Sequence, residues 1–267
     1  MIAMKQRPTT EQHSNIQIPQ LAARKRFGQY KKEEKKEIRK AEVKKDEKLE
    51  PILDRFRRVL DTPTHGFVPG QYKLCLSMLE GLQCTPGDVA KFSRMVVVFK
   101  NEENFDYKAG LFLSALVNHG RHRSYTLVTK DLGREVYRLG YWNTKNLIID
   151  GDGGFCLGQE MIAGTVLVRG TAWRVGSGLR GGRITVEAGW DVGSEMEAGE
   201  IIVKEIAIMT IGKSMRGGRI IIEGDVRAEA GEGMKGGEIH LNGDCGKIAT
   251  DIQGGKIYHK GKLIVDK

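Results

Sequence analysis

A glycine-anchored period of about 18 residues constrains this chain more than any other feature. Aligning the C-terminal half on the glycine before each β-branched run stacks Gly164 to Val168, Gly182 to Val186, Gly199 to Val203, Gly218 to Ile222, Gly237 to Leu241 and Gly255 to His259. The intervals between those glycines are 18, 17, 19, 19 and 18 residues. A less regular copy begins at Lys145, so there are about seven copies. Two further columns keep step with the first. One is Met161, Leu179, Met196, Met215, Met234 and Ile252; the other is Gly158, Gly176, Gly193, Gly212 and Gly231, interrupted at Ala249.

A unit this short cannot bury its apolar residues alone and must stack on its neighbours. Each copy offers three segments of about six residues punctuated by glycine, which suits one strand on each of three sides of a coil. Coils that pair backbones at ~4.8 Å bring like positions into register, so apolar columns become inward ladders. Glycine serves where the chain turns with positive φ or where stacked backbones approach closely. This explains 35 glycines in 267 residues, about 13% against a usual ~7%. Antiparallel hairpins would instead show Asn-Gly or Asp-Gly turns every 8 to 12 residues. The expected fold is mainly β: a right-handed three-sided parallel β-helix of about seven coils over residues 141–267.

Two further regions precede it. Residues 1–60 carry 17 Lys and Arg against 9 Asp and Glu, leaving 26 against 25 for the rest, so +8 of the net charge of +9 belongs to an N-terminal arm. Residues 1–50 are expected to be partly disordered and partly helical. Lys32, Lys36, Lys40, Lys44 and Lys48 recur every four residues. On a helix they form a cationic stripe about 24 Å long, suited to nucleic acid or another polyanion. A solvated helix whose glutamates balance the lysines explains the same residues. Residues 51–140 read as a small helical adaptor. Apolar positions predict helices over Ile52 to Leu60 and Tyr72 to Leu82. A capped start at Thr85, Pro86 and Asp88 predicts a third, to about Phe99, and a fourth spans Tyr107 to Asn118, closed by a left-handed Gly120. A strand at Tyr125 to Val128 and a short helix at Asp131 to Leu139, closed by Gly140, follow.

Chemistry is harder to find. His119, Arg121, His122 and Arg123 make a basic loop that can bind an anion, although a polar linker accounts for them equally. Cys75, Cys84, Cys156 and Cys245 are too few and scattered for a disulfide framework and include no C-x-x-C pair for zinc. Cys156 and Cys245 fall in different coils, roughly 24 Å apart. The Asp152 and Asp225 turns lack the following helix or terminal glutamate of phosphate and calcium loops. No catalytic, cofactor or metal site is assigned. No apolar run approaches the ~20 residues of a membrane span, and no signal peptide is evident, so a cytoplasmic chain is expected.

The Gly176-Ser177-Gly178 and Gly231-Glu232-Gly233 pairs, each followed by Leu179 or Met234 and then Gly181-Gly182 or Gly236-Gly237, resemble the GXGXG domain. That β-helix forms the C-terminal part of the glutamate synthase large subunit and also one of the subunits of formylmethanofuran dehydrogenase. The resemblance covers residues 145–267 and implies a structural role beside domains that carry the redox chemistry, none of which is recognisable here. The resulting reading is a non-catalytic scaffold or interaction module. It docks protein partners through a β-helix face and is a monomer or small closed oligomer. The alternative is an accessory subunit of a glutamate synthase-like or formylmethanofuran dehydrogenase-like complex. A third reading, an anion-binding enzyme using His119 and His122, stands behind both. Deleting residues 1–48 is expected to leave the remainder unfolding cooperatively while lowering heparin affinity and its salt dependence. Loss of the cooperative transition would show that the arm belongs to the core.

Overall fold

A computed structural model of the chain describes residues 47–63, 68–133 and 135–267. Lys32, Lys36, Lys40 and Lys44 lie outside the described residues. The expected helices are present as α1 (Glu50–Leu60), α2 (Val68–Met78), α3 (Pro86–Met95) and α4 (Phe105–His119), with a 3-10 turn at Val96–Phe99. The capping box forms as its residues imply: the Asp88 amide donates to Thr85 Oγ1 at 3.2 Å and the Thr85 amide to Asp88 Oδ2 at 2.9 Å. Phe56 of α1 meets Phe92 and Phe99 edge-on, with ring centroids 5.7 and 5.4 Å apart. The buried Lys108 ammonium donates to the Leu60 carbonyl, where α1 leaves carbonyls unsatisfied.

The rest of the chain is a parallel β-solenoid. Its first side is built from β1 (Ser124–Val128), β2 (Asn146–Asp150), β4 (Thr165–Val168), the first half of β6 (Arg183–Val192), the first half of β7 (Glu200–Ile211), β8 (Arg219–Ile222), β10 (Lys235–Leu241) and β12 (Gly254–His259). All pair in parallel, in register at the positions the glycine alignment stacks: Arg183 with Glu200, Glu200 with Arg219, Arg219 with Glu238. The second side joins β3 (Gly154–Phe155), β5 (Thr171–Trp173), the second halves of β6 and β7, β9 (Asp225–Ala230) and β11 (Lys247–Ile248). The third side is a ladder of turns in which the Arg180, Glu197, Arg216 and Lys235 amides donate to the carbonyls of Met161, Leu179, Met196 and Met215 at 2.7 to 2.9 Å.

Inside, Met161, Leu179, Met196, Met215 and Met234 form one buried column, and Val166, Ile184, Ile201, Ile220, Ile239 and Ile257 another. The glycine column lies between them for a steric reason. At Gly193, φ is +71°, and a Cβ would fall 2.4 Å from Ile220 Cδ1 on the next coil.

Both ends are closed. Helix α4, buried along most of its length, crosses the N-terminal end. A Cβ on its Gly110 would sit 1.7 Å from the Tyr137 carbonyl. Its Ser114 and Asn118 satisfy the first coil: the Gly140 amide donates to Ser114 Oγ at 2.9 Å, and Asn118 Nδ2 donates to the Tyr141 and Trp142 carbonyls, each at 3.2 Å. Ser93 of α3 accepts from the Val128 amide on the outer edge of β1 at 2.9 Å. At the other end β13 (Lys262–Asp266) folds back antiparallel on β12 through Lys260 and Gly261, both with positive φ. The described residues form one compact unit, with a single core from Leu49 to Ile257.

Two expectations need correction. No helix forms among the described residues between Asp131 and Leu139. There the amides and carbonyls serve the next coil instead, with Arg138 N donating to the Phe155 carbonyl at 2.7 Å and Gly158 N to the Leu139 carbonyl at 2.8 Å, so the segment is an incomplete coil. Gly120 is extended at φ −62° rather than left-handed. Glycine is needed there because a Cβ would lie 1.9 Å from the Tyr125 hydroxyl.

Met215→Asp places an unpaired carboxylate in the methionine column and is expected to cost several kcal/mol, whereas Met215→Leu is expected to cost less than about 1.5 kcal/mol. Chemical denaturation of both variants tests the register, and an unchanged midpoint for the aspartate variant would refute it.

Candidate functional site

Two places on the described surface collect functional groups. The first is a pocket of about 350 Å³ where the turn after α2 meets the end of α4. It gathers His119, Arg121 and His122 from the predicted basic loop, together with Cys84 and Asp88, whose participation the sequence did not suggest. Arg123 lies outside the lining, where its carbonyl accepts from the Asn146 amide at 2.8 Å and begins the first solenoid pairing.

The hydrogen bonds decide what this pocket can do. His119 Nε2 lies 3.2 Å from the Leu82 carbonyl, which can only accept, so Nε2 carries the proton. Asp88 is engaged by the Thr85 amide and by the Thr85 hydroxyl, at 2.9 and 2.7 Å. The Cys84 thiol is pushed above its ordinary range by burial, with Asp88 adding to the shift. A raised thiol is a poor nucleophile at neutral pH. The pocket therefore offers cationic and N–H donors to a small anion, rather than a Cys-His catalytic pair. Alkylation of Cys84, followed by peptide mapping, is expected to be slow at pH 7 and to keep rising past about pH 9, because only the thiolate reacts and this thiol ionises late. A rate already level below about pH 8 would identify an activated thiol.

The second place is the outward surface of the first solenoid side. Strand alternation points Thr126, Ile148, Leu167, Thr185, Ile202, Ile221, His240 and Tyr258 away from the core, in register one above another. The stripe ends on Leu263 of β13, paired with Tyr258. Leu167, Leu263 and the neighbouring Ile264 are about 40% exposed (38, 41 and 43%). At the N-terminal end the stripe enters a groove of about 540 Å³ between α3 and β1, β2 and β4.

Charged columns frame this stripe. Arg183, Glu200, Arg219, Glu238 and Lys256 run along one margin. Two residues beyond the stripe lie Asp150, Arg169, Glu187, Lys204 and Glu223. Ion pairs tie successive rungs: Arg219 to Glu238 at 3.0 Å, Lys204 to Glu223 at 2.7 Å and Lys130 to Asp150 at 3.1 Å. Asp150 is held below the usual carboxylate range first by its hydrogen bond from Lys130, and Glu238 first by His240 and then by Arg219. The signal for this face was present in the sequence. The fourth residue of Gly199 to Val203 and of Gly218 to Ile222, Ile202 and Ile221, is isoleucine where a solvated strand would carry a polar residue, and charges of opposite sign stand four residues apart around it.

The second side carries an outward aromatic ladder that the sequence reading missed. Tyr137 and Phe155 are 5.4 Å apart, and Trp173 and Trp190 stack at 4.8 Å and 10°. Rings already stacked on one another present edges rather than faces, which disfavours insertion of bases.

Asp150 ends β2 on the first side whereas Asp191 stands on the second half of β6, so the aspartates of the turns form no single column. Asp152 accepts from the Thr171 amide at 2.7 Å, Asp225 from the Asp244 amide at 3.0 Å, and Asp191 from the Ser194 and Thr210 hydroxyls. Among the described residues, no three His, Cys, Asp or Glu side chains gather to hold a metal ion. The four cysteines are free thiols. No helix among the described residues is long and apolar enough to cross a membrane. Lys48 sits at the foot of α1, one residue before the buried Leu49. No family model, no curated protein and no solved structure matches the chain.

Proposed function

We propose that this chain is a non-catalytic β-solenoid scaffold whose first side docks a protein surface. The observation that carries this reading is the largely apolar stripe from Ile148 to Leu263, interrupted at Thr185 and His240 and flanked along its middle rungs by charge on both sides. Contiguous apolar surface with a polar rim is what protein interfaces present. The scaffold role is also what the resemblance to the GXGXG domain implies. The junction pocket supports no competing catalytic reading, because Asp88 is occupied by capping, His119 Nε2 by a carbonyl, and the Cys84 thiol ionises late.

Ile202 and Ile221 are half-buried on the stripe and point out of the core. Replacing both with glutamate is therefore expected to leave the thermal transition within a few degrees of the parent. In parallel affinity purifications from native extract, the double variant is expected to lose the proteins that the parent retains. Equal recovery by both would overturn the docking reading. A flavin- or molybdopterin-bearing protein among those lost would assign the chain to an oxidoreductase complex as an accessory subunit.

A further inference from the structure

We propose that the junction pocket binds a small phosphate monoester, with the phosphate held by Arg121, His122 and His119; the inference is independent of what docks on the first solenoid side. The observation that carries it is a surplus of hydrogen-bond donors around a concave site. Most arginines of the solenoid are tied to a carboxylate on a neighbouring rung, as Arg180 is to Glu160 and Arg219 to Glu238, each at 3.0 Å. Arg121 lines the same cavity as Asp88, yet its guanidinium makes no ion pair or hydrogen bond among the described residues. The carboxylate that could neutralise it is engaged elsewhere. Asp88 Oδ2 accepts from both the amide and the hydroxyl of Thr85, and Asp88 stands in the first turn of α3, where a helix N-terminus favours negative charge.

The imidazoles add to the surplus. His122 bonds only through its amide, to the Tyr125 hydroxyl at 3.0 Å, so both ring nitrogens are without a partner among the described residues. His119 spends Nε2 on the Leu82 carbonyl and leaves Nδ1 free, a further donor once the ring is charged. The amides of Gln83, Cys84 and Arg121 also find no acceptor among the described residues. An oxyanion satisfies such donors through charge-assisted hydrogen bonds, and a guanidinium suits phosphate geometry in particular.

Size and the one spare acceptor define the rest of the ligand. At about 350 Å³ the cavity falls at the lower end of the ~300 to 1,000 Å³ of small-molecule sites, room for more than a bare ion. Leu82 and Cys84 give it an apolar part. Asp88 Oδ1, unlike Oδ2, accepts no hydrogen bond among the described residues and can take one from a ligand hydroxyl. A phosphate ester of a short polyol meets these demands, and glycerol 3-phosphate is the simplest probe.

Alkylation of Cys84 in the full chain reads occupancy at the pocket itself, with Cys245, half-buried in the last coil, as the internal control. At pH 8 and constant ionic strength, glycerol 3-phosphate is expected to slow the reaction of Cys84 with iodoacetamide saturably, to leave Cys245 unaffected, and to act at lower concentration than inorganic phosphate. Arg121→Ser is expected to raise the half-protecting concentration by about tenfold or more, the loss of one charge-assisted contact. Arg123→Ser, two residues along but outside the lining, is expected to leave it nearly unchanged. Both positions are exposed, so both variants should keep the parent's thermal transition.

Alkylation of Cys84 that is indifferent to both compounds would overturn the inference, even if phosphate were taken up by the basic residues of the N-terminal arm. Equal weakening by Arg121→Ser and Arg123→Ser would reduce the effect to diffuse attraction by the loop and overturn it as well. Protection by inorganic phosphate at the same concentration as by the ester would refute the polyol ester. None of these outcomes bears on docking at the first side.

Discussion

Everything in this molecule depends on the hydrogen-bonded stacking of one coil on the next. Parallel pairing sets a rise of ~4.8 Å and brings each residue over its counterpart one period away. A position therefore has a single environment repeated up the stack, and one residue type must suit it in every copy. That is why isoleucine follows glycine and an acidic or basic residue in coil after coil, and why methionine recurs at one corner. The methionine column suits a thioether chain that fills irregular space without branching. Glycine at the corners is a consequence of the same closeness. With δ-carbons of the neighbouring coil's isoleucines 2.4 to 2.7 Å from where a Cβ would stand, at Gly193 and Gly212 respectively, only a hydrogen fits.

A stack of this kind has two open ends, and an open backbone edge invites further pairing. The chain closes each differently. At the start, α4 lies across the coil, supplying Ser114 and Asn118 to backbone groups that have no coil below them, and Ser93 of α3 serves the edge of β1. The helices are thus an end cap sharing the solenoid core. At the finish, β13 reverses direction and its lysines stand at the margin. Growth along the axis is blocked at the cost of one reversed strand, which leaves the lateral faces as the surfaces open to association.

Those faces differ. The second side shows the stacked Trp173 and Trp190 rings, and the first shows a largely apolar stripe between two alternating charge columns. Ion pairs between exposed side chains contribute little to stability, with a median of about 0 to 1 kcal/mol each, so the columns matter more for what they permit to approach than for holding the coils together. In the junction pocket, by contrast, Asp88 is held by the Thr85 cap and His119 Nε2 by the Leu82 carbonyl, so the turn between α2 and α3 is tied to the end of α4.

The solenoid was legible in the sequence because its period is local and repeated: spacing alone placed Gly164, Gly182 and their successors on one column and Met196 on another. The four helices and the Thr85 cap were legible for a similar reason, since helix pattern and capping act within a few residues. Three things were not. Asp131 to Leu139 has helical pattern, but its backbone pairs with residues some 20 positions later, and that pairing prevails. Gly120 reads as a helix terminator, yet the constraint on it is the Tyr125 ring folded back over the turn. The opposition of charges across the Ile202 stripe is written in the residues, but only the register of the coils turns it into a surface. What lies within one period or one helical turn was settled by the sequence. What depends on which backbone group finds a partner, or on which side chains share a face, was decided by the tertiary structure, because those contacts join residues that are neighbours only once the coils have stacked.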